Sequence, residues 1–107
     1  MRRRTRDLIA AEIAGRRSRT ETLLSALLRR TKSSATLADI QALIFEERED
    51  RHSTEYFCDL IALFNTRHGS VDIDEVLPAI QDAWNYFPHR RFRGECPAER
   101  LLSRADA

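Results

Sequence analysis

The chain has 107 residues, of which 42% are hydrophobic and 33% are charged, and it contains three Gly and three Pro. This length suits one compact domain and is too short for two independent cores. So few Gly and Pro residues indicate long regular elements and point away from a disordered or an all-β chain. We predict an all-α, bundle-like domain of five or six helices over residues 1–107, with a basic segment 1–32 and a main core 36–107.

The formal net charge is only +1, but the charges are unevenly distributed. Residues 1–32 hold ten Lys or Arg against three Asp or Glu, residues 33–82 hold three against eleven, and residues 83–107 hold five against three. The charges of a basic segment and of the acidic segment that follows it can be balanced by pairing within the protein or a dimer, or by external partners of opposite charge. We expect internal or dimeric pairing, and a nucleic acid or other polyanion is the alternative.

The cysteine count and the apolar runs bear on the compartment. The only cysteines are Cys58 and Cys96, and no C-x-x-C or H-x-x-x-H spacing suggests a metal site. The basic start is followed by a short apolar run that contains Glu12, which does not fit an export signal. No run approaches the roughly 20 apolar residues that cross a bilayer. We expect a cytoplasmic protein with reduced thiols, no cofactor and no membrane partner, in which Cys58 is a small core residue.

Residues 1–32 predict two helices separated by Gly15. The first covers about residues 3–14, and the second begins near Ser18, which has the capping-box spacing to Glu21. The second helix carries an apolar stripe of helical period formed by Leu23, Leu24, Leu27 and Leu28. The polar residues 31–36 are predicted to link it to the rest of the chain.

The remaining sequence predicts four more helical segments. Thr36 with Asp39 has the spacing of a capping box and predicts a third helix over its apolar positions to Ile44. Ser53 or Thr54 is expected to cap a fourth, central helix, although the third and fourth segments are also compatible with one continuous helix. His68 and Gly69 are expected to end the fourth helix. A fifth starts at an Asp72–Glu75 box and stops at Pro88, and a sixth starts at Pro97 with Leu101 and Leu102 facing inward.

Residues 84–99, W-N-Y-F-P-H-R-R-F-R-G-E-C-P-A-E, form the stretch most like a motif. Pro88 ends a helix, Phe92 packs the loop on the core, and Gly94 permits a turn of positive φ. Cys96 and Glu99 have the spacing that caps the next helix. The motif consists of Trp84, Asn85, Pro88, His89, Arg90, Arg91, Phe92, Arg93, Gly94, Cys96, Pro97 and Glu99.

A corner between two helices explains most of this motif but not its basic part. His89, Arg90, Arg91 and Arg93 are not required by the corner geometry, so they are candidates for contact with a ligand or polyanion. We expect His89, which lies in the loop, to bond a backbone carbonyl rather than to act as a catalytic base.

The same stretch resembles the end of the integrase core of insertion-sequence transposases, Y-N-x-x-R-P-H-x-x-L-G-G-x-T-P-x-E. Two departures are that Arg93 stands at the first Gly of the pair and that the gap between Asn85 and Pro88 is one residue shorter. Nothing upstream resembles the ribonuclease-H-like core with its three metal-binding carboxylates, so no strand transfer is implied. The stretch is also similar to small bacterial and archaeal helical proteins that end in W-N-x-F-P-H-x-x-L-G-G-x-S-P-x-E, a resemblance that implies no established activity.

Few residues suggest catalysis or metal binding. Glu49 and His52 have the Glu-x-x-His spacing, but a di-iron bundle needs two such pairs and two further glutamates. Glycines at 15, 69 and 94 do not form a phosphate-binding loop. An enzyme is therefore not the expected function, and no catalytic or metal-binding residue is assigned.

The leading hypothesis is a non-enzymatic protein-interaction domain that self-associates or binds another protein through its first two helices. The alternative is an accessory nucleic-acid-binding protein, of mobile-element origin, that uses the basic N-terminal helices. The candidate phosphate contacts are Arg2, Arg3, Arg4, Arg6, Arg16, Arg17 and Arg19. No aromatic residue lies among them to stack on a base.

Overall fold

A computed structural model describes residues 3–64 and 73–105, with side chains for residues 5–64 and 73–102. These residues contain α-helices and one short 3₁₀ turn, Arg90–Phe92, and they contain no strand. The α-helices are α1 (Arg3–Arg30), α2 (Leu37–Phe45), α3 (Ser53–Ala62), α4 (Ile73–Tyr86) and α5 (Pro97–Ala105). The predicted all-α class is therefore confirmed.

The first helix is continuous through Gly15, so the prediction of two helices over residues 3–32 is wrong. Ile13 on one side of the glycine, and Thr20 and Leu24 on the other, are all buried on the same side of α1. Their spacing is that of a single helix. Burial of this continuous face outweighs the roughly 0.5–1 kcal/mol by which a glycine disfavours a helix relative to alanine.

The end of α1 is fixed by a Schellman motif. The backbone amide of Ser33 donates to the carbonyl of Leu28 at 3.0 Å, and that of Lys32 donates to the carbonyl of Arg29 at 3.0 Å. Lys32 takes the left-handed conformation that this motif requires, with φ of 54°. The predicted linker over residues 31–36 is therefore confirmed, and it turns the chain sharply back onto the bundle.

The next two helices are separate, which answers the question of continuity that the sequence leaves open. The predicted capping box of α2 is present, because Thr36 and Asp39 each accept from the other's backbone amide. Residues 46–52 then leave the helical path before α3. The N-cap of α3 is His52, which makes no side-chain capping bond. The prediction that Ser53 or Thr54 caps this helix is therefore wrong.

The centre of the bundle is the pair α1 and α4, which make the most extensive helix contact. They run antiparallel, because Arg30 at the end of α1 pairs with Glu75 at the start of α4, whereas Arg17 contacts Tyr86 at its end. The predicted central role of α3 is therefore wrong. The core consists of Leu24, Leu27, Leu28, Ile40, Ile44, Leu60, Phe64, Val76, Ala79, Ile80, Ala83 and Phe87.

Two side chains predicted to face inward are exposed. Cys58 lies on the outer side of α3, because it is two residues from both Tyr56 and Leu60, which are buried. Leu101 on α5 is 67% exposed. The helix-stop signals at His68 and Gly69 and the capping position Asp72 lie outside the described residues.

Candidate functional site

The motif forms a closed corner between α4 and α5. The backbone amide of His89 donates to the carbonyl of Glu95, and the amide of Gly94 donates back to the carbonyl of His89, both at 3.0 Å. Gly94 has the predicted positive φ, 87°, and Arg93 before it is also left-handed with φ of 57°. The two Gly positions of the resembled motif thus both have positive φ here, although one is occupied by arginine.

The imidazole of His89 is the buried centre of this corner, with no exposed surface. Its Nε2 lies 2.8 Å from the carbonyl oxygen of Trp84, which confirms the prediction of a backbone partner. Its Nδ1 lies 2.7 Å from Oε1 of Glu47, in the loop between α2 and α3. The ring also stands edge-on to the Trp84 indole, with centroids 4.9 Å apart.

Glu47 joins the motif to the acidic segment, a role that no sequence signal revealed. The Glu47 side chain is 8% exposed, and its Oε2 accepts from Nη1 of Arg91 at 3.0 Å. Next to it, Arg90 donates to the exposed carboxylate of Glu46. Three of the four candidate residues in the motif, His89 and the two arginines, are therefore engaged by the protein's own acidic loop, and Arg93 is exposed.

The start of α5 uses a capping box in which a thiol replaces the usual hydroxyl. The carboxylate of Glu99 accepts from the backbone amide of Cys96 at 3.0 Å, and the amide of Glu99 lies 3.5 Å from Sγ of Cys96. Burial raises the pKa of the Cys96 thiol. Cys96 therefore accepts the capping hydrogen bond of α5 as a neutral thiol.

Arg17 ties this capping box to α1. Its Nη2 donates to Oε1 of Glu99 at 2.8 Å and lies 3.6 Å from Sγ of Cys96, while its Nε donates to the carbonyl of Tyr86 at 2.6 Å. Burial would raise the pKa of the Glu99 carboxyl, but the hydrogen bonds from Cys96 and the charge of Arg17 hold that pKa below its usual value. The guanidinium of Arg17 is thus engaged by two groups of its own chain, the Tyr86 carbonyl and the Glu99 carboxylate.

The other candidate arginines of α1 occupy different surroundings. Arg16 pairs with Glu12 one turn earlier, at 3.3 Å, and its guanidinium lies 5.7 Å from the centre of the Tyr86 ring. Arg19 is exposed, and it makes no ion pair with any described residue. Arg2 and the side chains of Arg3 and Arg4 lie outside the described part of the chain, and Arg6 is half-buried.

A second surface of interest is the solvent side of α1. No residue from Thr5 to Glu12 is buried, so this end of the helix extends beyond the core. Leu8 is 66% exposed, and Leu23 further along the helix is 47% exposed. Beside Leu23 a cleft of about 140 Å³ is lined by Arg16, Arg19, Thr20, Leu23, Asp82 and Tyr86. We call the outward side of α1 from Leu8 to Leu23 the α1 outer face.

A third surface lies between α2 and the motif. A shallow apolar depression of about 310 Å³ is lined by Gln41, Ala42, Phe45 and Pro88. Within residues 3–64 and 73–105, no group of three or more His, Cys, Asp or Glu side chains is placed to hold a metal ion. Across the same residues, none of the helices has the length and hydropathy needed to span a bilayer.

Comparisons of the chain with protein-family models, with curated proteins and with solved structures found no match. The similarity of residues 84–99 to transposase tails and to small helical proteins therefore stays a prediction from the sequence. The geometry of the corner and of the α1 outer face is what bears on function.

Proposed function

We propose that this protein is a non-enzymatic helical interaction domain that associates with a second copy of itself through the α1 outer face. The observation that carries the proposal is the exposure of Leu8 and Leu23 on one helix. Covering a leucine that is about half exposed contributes roughly 1–2 kcal/mol. Two leucines from each copy thus supply a driving force for association.

The compartment proposed for the protein is the cytoplasm, because a reducing environment keeps the exposed thiol of Cys58 free.

The sparse packing at the start of α1 favours the same proposal. Residues 5–12 make more than two helical turns without a buried side chain. This segment continues a helix that is packed from Ile13 onward, so it needs no nucleation of its own, but its turns gain little stability from packing. A partner on the outer face would stabilise this end of the helix and cover Leu8 at the same time.

The proposal assigns no catalytic step to the buried histidine. His89 has no exposed surface, and both of its ring nitrogens are already occupied by Glu47 and the carbonyl of Trp84. A general base must reach its substrate within hydrogen-bond distance. The arrangement instead suits a structural clamp between the motif and the acidic loop.

Nucleic-acid binding by the basic N-terminal region remains the alternative. It is favoured by the exposure of Arg19 on α1 and by the arginines that precede it in the sequence. It is weakened because Arg17 is bound to Glu99 and Arg16 to Glu12. Phosphate contact by either residue would have to compete with these internal pairs.

Sedimentation velocity of the full chain over a range of concentrations tests the proposal. We expect the wild type to show a reversible monomer–dimer equilibrium and Leu8→Glu to shift it toward the monomer, because a buried charge is costly. The matched control is Leu101→Glu, since Leu101 is as exposed as Leu8 but lies on α5. A wild type that stays monomeric throughout, or a dimer lost only with Leu101→Glu, contradicts the proposal. Salt-sensitive retention of the monomer on duplex DNA would support the alternative.

A further inference from the structure

The α1 outer face has a symmetric arrangement of side chains. At 3.6 residues per turn, Leu8, Glu12, Arg19 and Leu23 lie within about 60° of one another around the helix. All four are exposed. They stand to one side of the face that carries the buried Ile13, so α1 can pack on the bundle and on a second helix together. The result is a stripe with a leucine at each end and opposite charges in between.

The midpoint of this stripe lies between Gly15 and Arg16. Leu8 and Leu23 are equally far from that midpoint along the helix, and so are Glu12 and Arg19. If a second copy of α1 is laid antiparallel across the midpoint, Leu8 faces the partner's Leu23 and Glu12 faces the partner's Arg19. The same contacts recur on the other side, as a two-fold interface requires.

We propose that two copies of this chain pair through antiparallel α1 helices that cross at Gly15. The proposal rests on the self-association proposed above and specifies its geometry. Charge complementarity identifies the occupant, because a second copy sets the partner's Arg19 opposite Glu12 and the partner's Glu12 opposite Arg19. Among the described residues, Glu12 makes one ion pair, an exposed one with Arg16 at 3.3 Å, and Arg19 makes none.

Gly15 fits a crossing point better than it fits an isolated helix. A β-carbon at this position would meet one group within 4 Å, the terminal Nη1 of Arg19 at 3.4 Å, which is the flexible end of a long side chain. The single chain therefore has room for alanine there, and glycine is among the least favourable residues inside a helix. A close approach of a second helix gives the glycine a purpose, because only a residue without a side chain leaves the backbone open to contact.

The contact is small, which sets the conditions of the test. The contact between two helices over residues 8–23 is about 22 Å long, at a rise of 1.5 Å per residue. Interfaces at the small end of the range belong to weak or transient complexes. Association is therefore to be measured at concentrations from roughly 1 to 500 μM, where an interface of this class is populated.

A charge-exchange experiment tests the antiparallel pairing. Glu12→Arg sets an arginine against the partner's Arg19, and Arg19→Glu sets a glutamate against the partner's Glu12. Each variant alone is therefore expected to dimerise at least about tenfold more weakly, or 1.4 kcal/mol. An equimolar mixture of the two is expected to form a heterodimer of wild-type affinity, because both contacts then join opposite charges. Analytical ultracentrifugation measures all three samples, and a mixture no more associated than its components overturns the proposed register.

Cross-linking gives an independent test. In a Cys58→Ser background, Leu8→Cys and Leu23→Cys chains are treated with a short bis-maleimide, separately and mixed. We expect a cross-linked dimer from the mixture and none from either chain alone, because like positions are about 22 Å apart in the antiparallel pair. A cross-link from Leu8→Cys alone indicates a parallel pair and overturns the proposal.

Gly15→Gln separates the role of the crossing point from a role in folding. Glutamine is a better helix former than glycine, so the thermal midpoint of the chain is expected to hold or rise while dimerisation falls at least about tenfold. Unchanged dimerisation overturns the crossing at Gly15. If the wild type is a dimer but the charge-exchange, cross-linking and Gly15→Gln experiments contradict the expected results, the antiparallel arrangement is wrong and the proposal of self-association stands. A strictly monomeric wild type contradicts both proposals.

Discussion

The guanidinium of Arg17 lies 2.8 Å from the carboxylate of Glu99, which follows it by 82 residues in the chain. Glu99 also caps the start of α5 by accepting from the backbone amide of Cys96. The same guanidinium bonds the carbonyl of Tyr86 at the end of α4. One side chain of α1 therefore holds both sides of the corner formed by the motif, and an arginine that the sequence suggests as a phosphate contact contributes to the fold.

Loss of Arg17 is expected to destabilise the protein. In Arg17→Met the carbonyl of Tyr86 and the carboxylate of Glu99 lose a charged donor in a partly buried site, which we expect to lower the free energy of unfolding by about 1–2 kcal/mol. Urea denaturation followed by circular dichroism measures it. The control is Arg48→Met, because Arg48 pairs with Asp50 in an exposed position and its loss should stay within about 0.5 kcal/mol. Equal effects of the two substitutions would contradict the assigned role of Arg17.

The contribution of Glu99 to stability is expected to disappear in acid. The pKa of Glu99 is held below its ordinary value of 4.5 in the folded state, so the unfolded state takes up a proton more readily. The stability difference between wild type and Glu99→Gln should thus be constant above about pH 5.5, and should narrow as the pH falls through 4.5 toward the folded pKa. Denaturation curves from about pH 7 to pH 3 measure this difference. A difference that widens on acidification would show that the pKa of Glu99 is raised instead.

Two adjacent glutamates are expected to differ sharply in their effect on stability. Glu47 is almost fully buried against His89 and Arg91, whereas Glu46 is exposed beside Arg90. Glu47→Ala leaves the buried imidazole without its Nδ1 partner, and we expect it to cost about 2–4 kcal/mol.

The neighbouring substitution is the control for this prediction. Glu46→Ala removes only an exposed ion pair and is expected to cost less than about 1 kcal/mol. Thermal denaturation of both variants in the same buffer compares them. If Glu46→Ala were the more damaging change, the corner would not depend on the clamp between Glu47 and His89.

Local spacing made parts of this fold predictable. Thr36 with Asp39, and Cys96 with Glu99, are three residues apart, so the capping bond in each pair is formed within one turn of a helix. Gly15 misled the prediction because a helix-disfavouring residue is a weak local signal. The buried face that continues on both sides of it is formed only in the folded bundle.

The clamp between Glu47 and His89 shows where prediction from the sequence ends. The two residues are separated by 42 positions, and no periodicity or motif spacing links a loop after α2 to a loop after α4. A backbone carbonyl partner for His89 is predicted because loop histidines commonly bond one, and the carbonyl found in the structure is that of Trp84, five residues earlier. Cys58 was misplaced for a different reason, since its burial depends on which face of α3 packs inward.

The two cysteines are expected to react with thiol reagents at very different rates. Cys58 is exposed on α3, whereas Cys96 is buried and burial raises the pKa of its thiol. The reactive species is the thiolate, so both effects protect Cys96. In the native protein we expect modification of one thiol per chain, located at Cys58 by mass spectrometry, and none in Cys58→Ser until denaturant is added. Fast modification of native Cys58→Ser would contradict the burial of Cys96.

The left-handed residues Arg93 and Lys32 are expected to be sites where glycine stabilises the protein. Their φ values of 57° and 54° are unfavourable for residues with a side chain, and Arg93 stands where the resembled motif has its first Gly. Arg93→Gly and Lys32→Gly are each expected to raise the free energy of unfolding by about 0.5–1 kcal/mol, since the relief of backbone strain exceeds the added flexibility of the unfolded chain.

The converse substitution is Gly94→Ala, which tests whether backbone conformation alone decides these effects. No atom lies within 4 Å of the β-carbon that alanine would add at Gly94, so steric contact contributes nothing to the result. At φ of 87° alanine is nevertheless strained, and we expect Gly94→Ala to lower the free energy of unfolding by about 1–2 kcal/mol. Urea denaturation of all three variants supplies the comparison. A neutral Gly94→Ala together with a destabilising Arg93→Gly would mean that the turn before α5 does not have the left-handed conformation at these two residues.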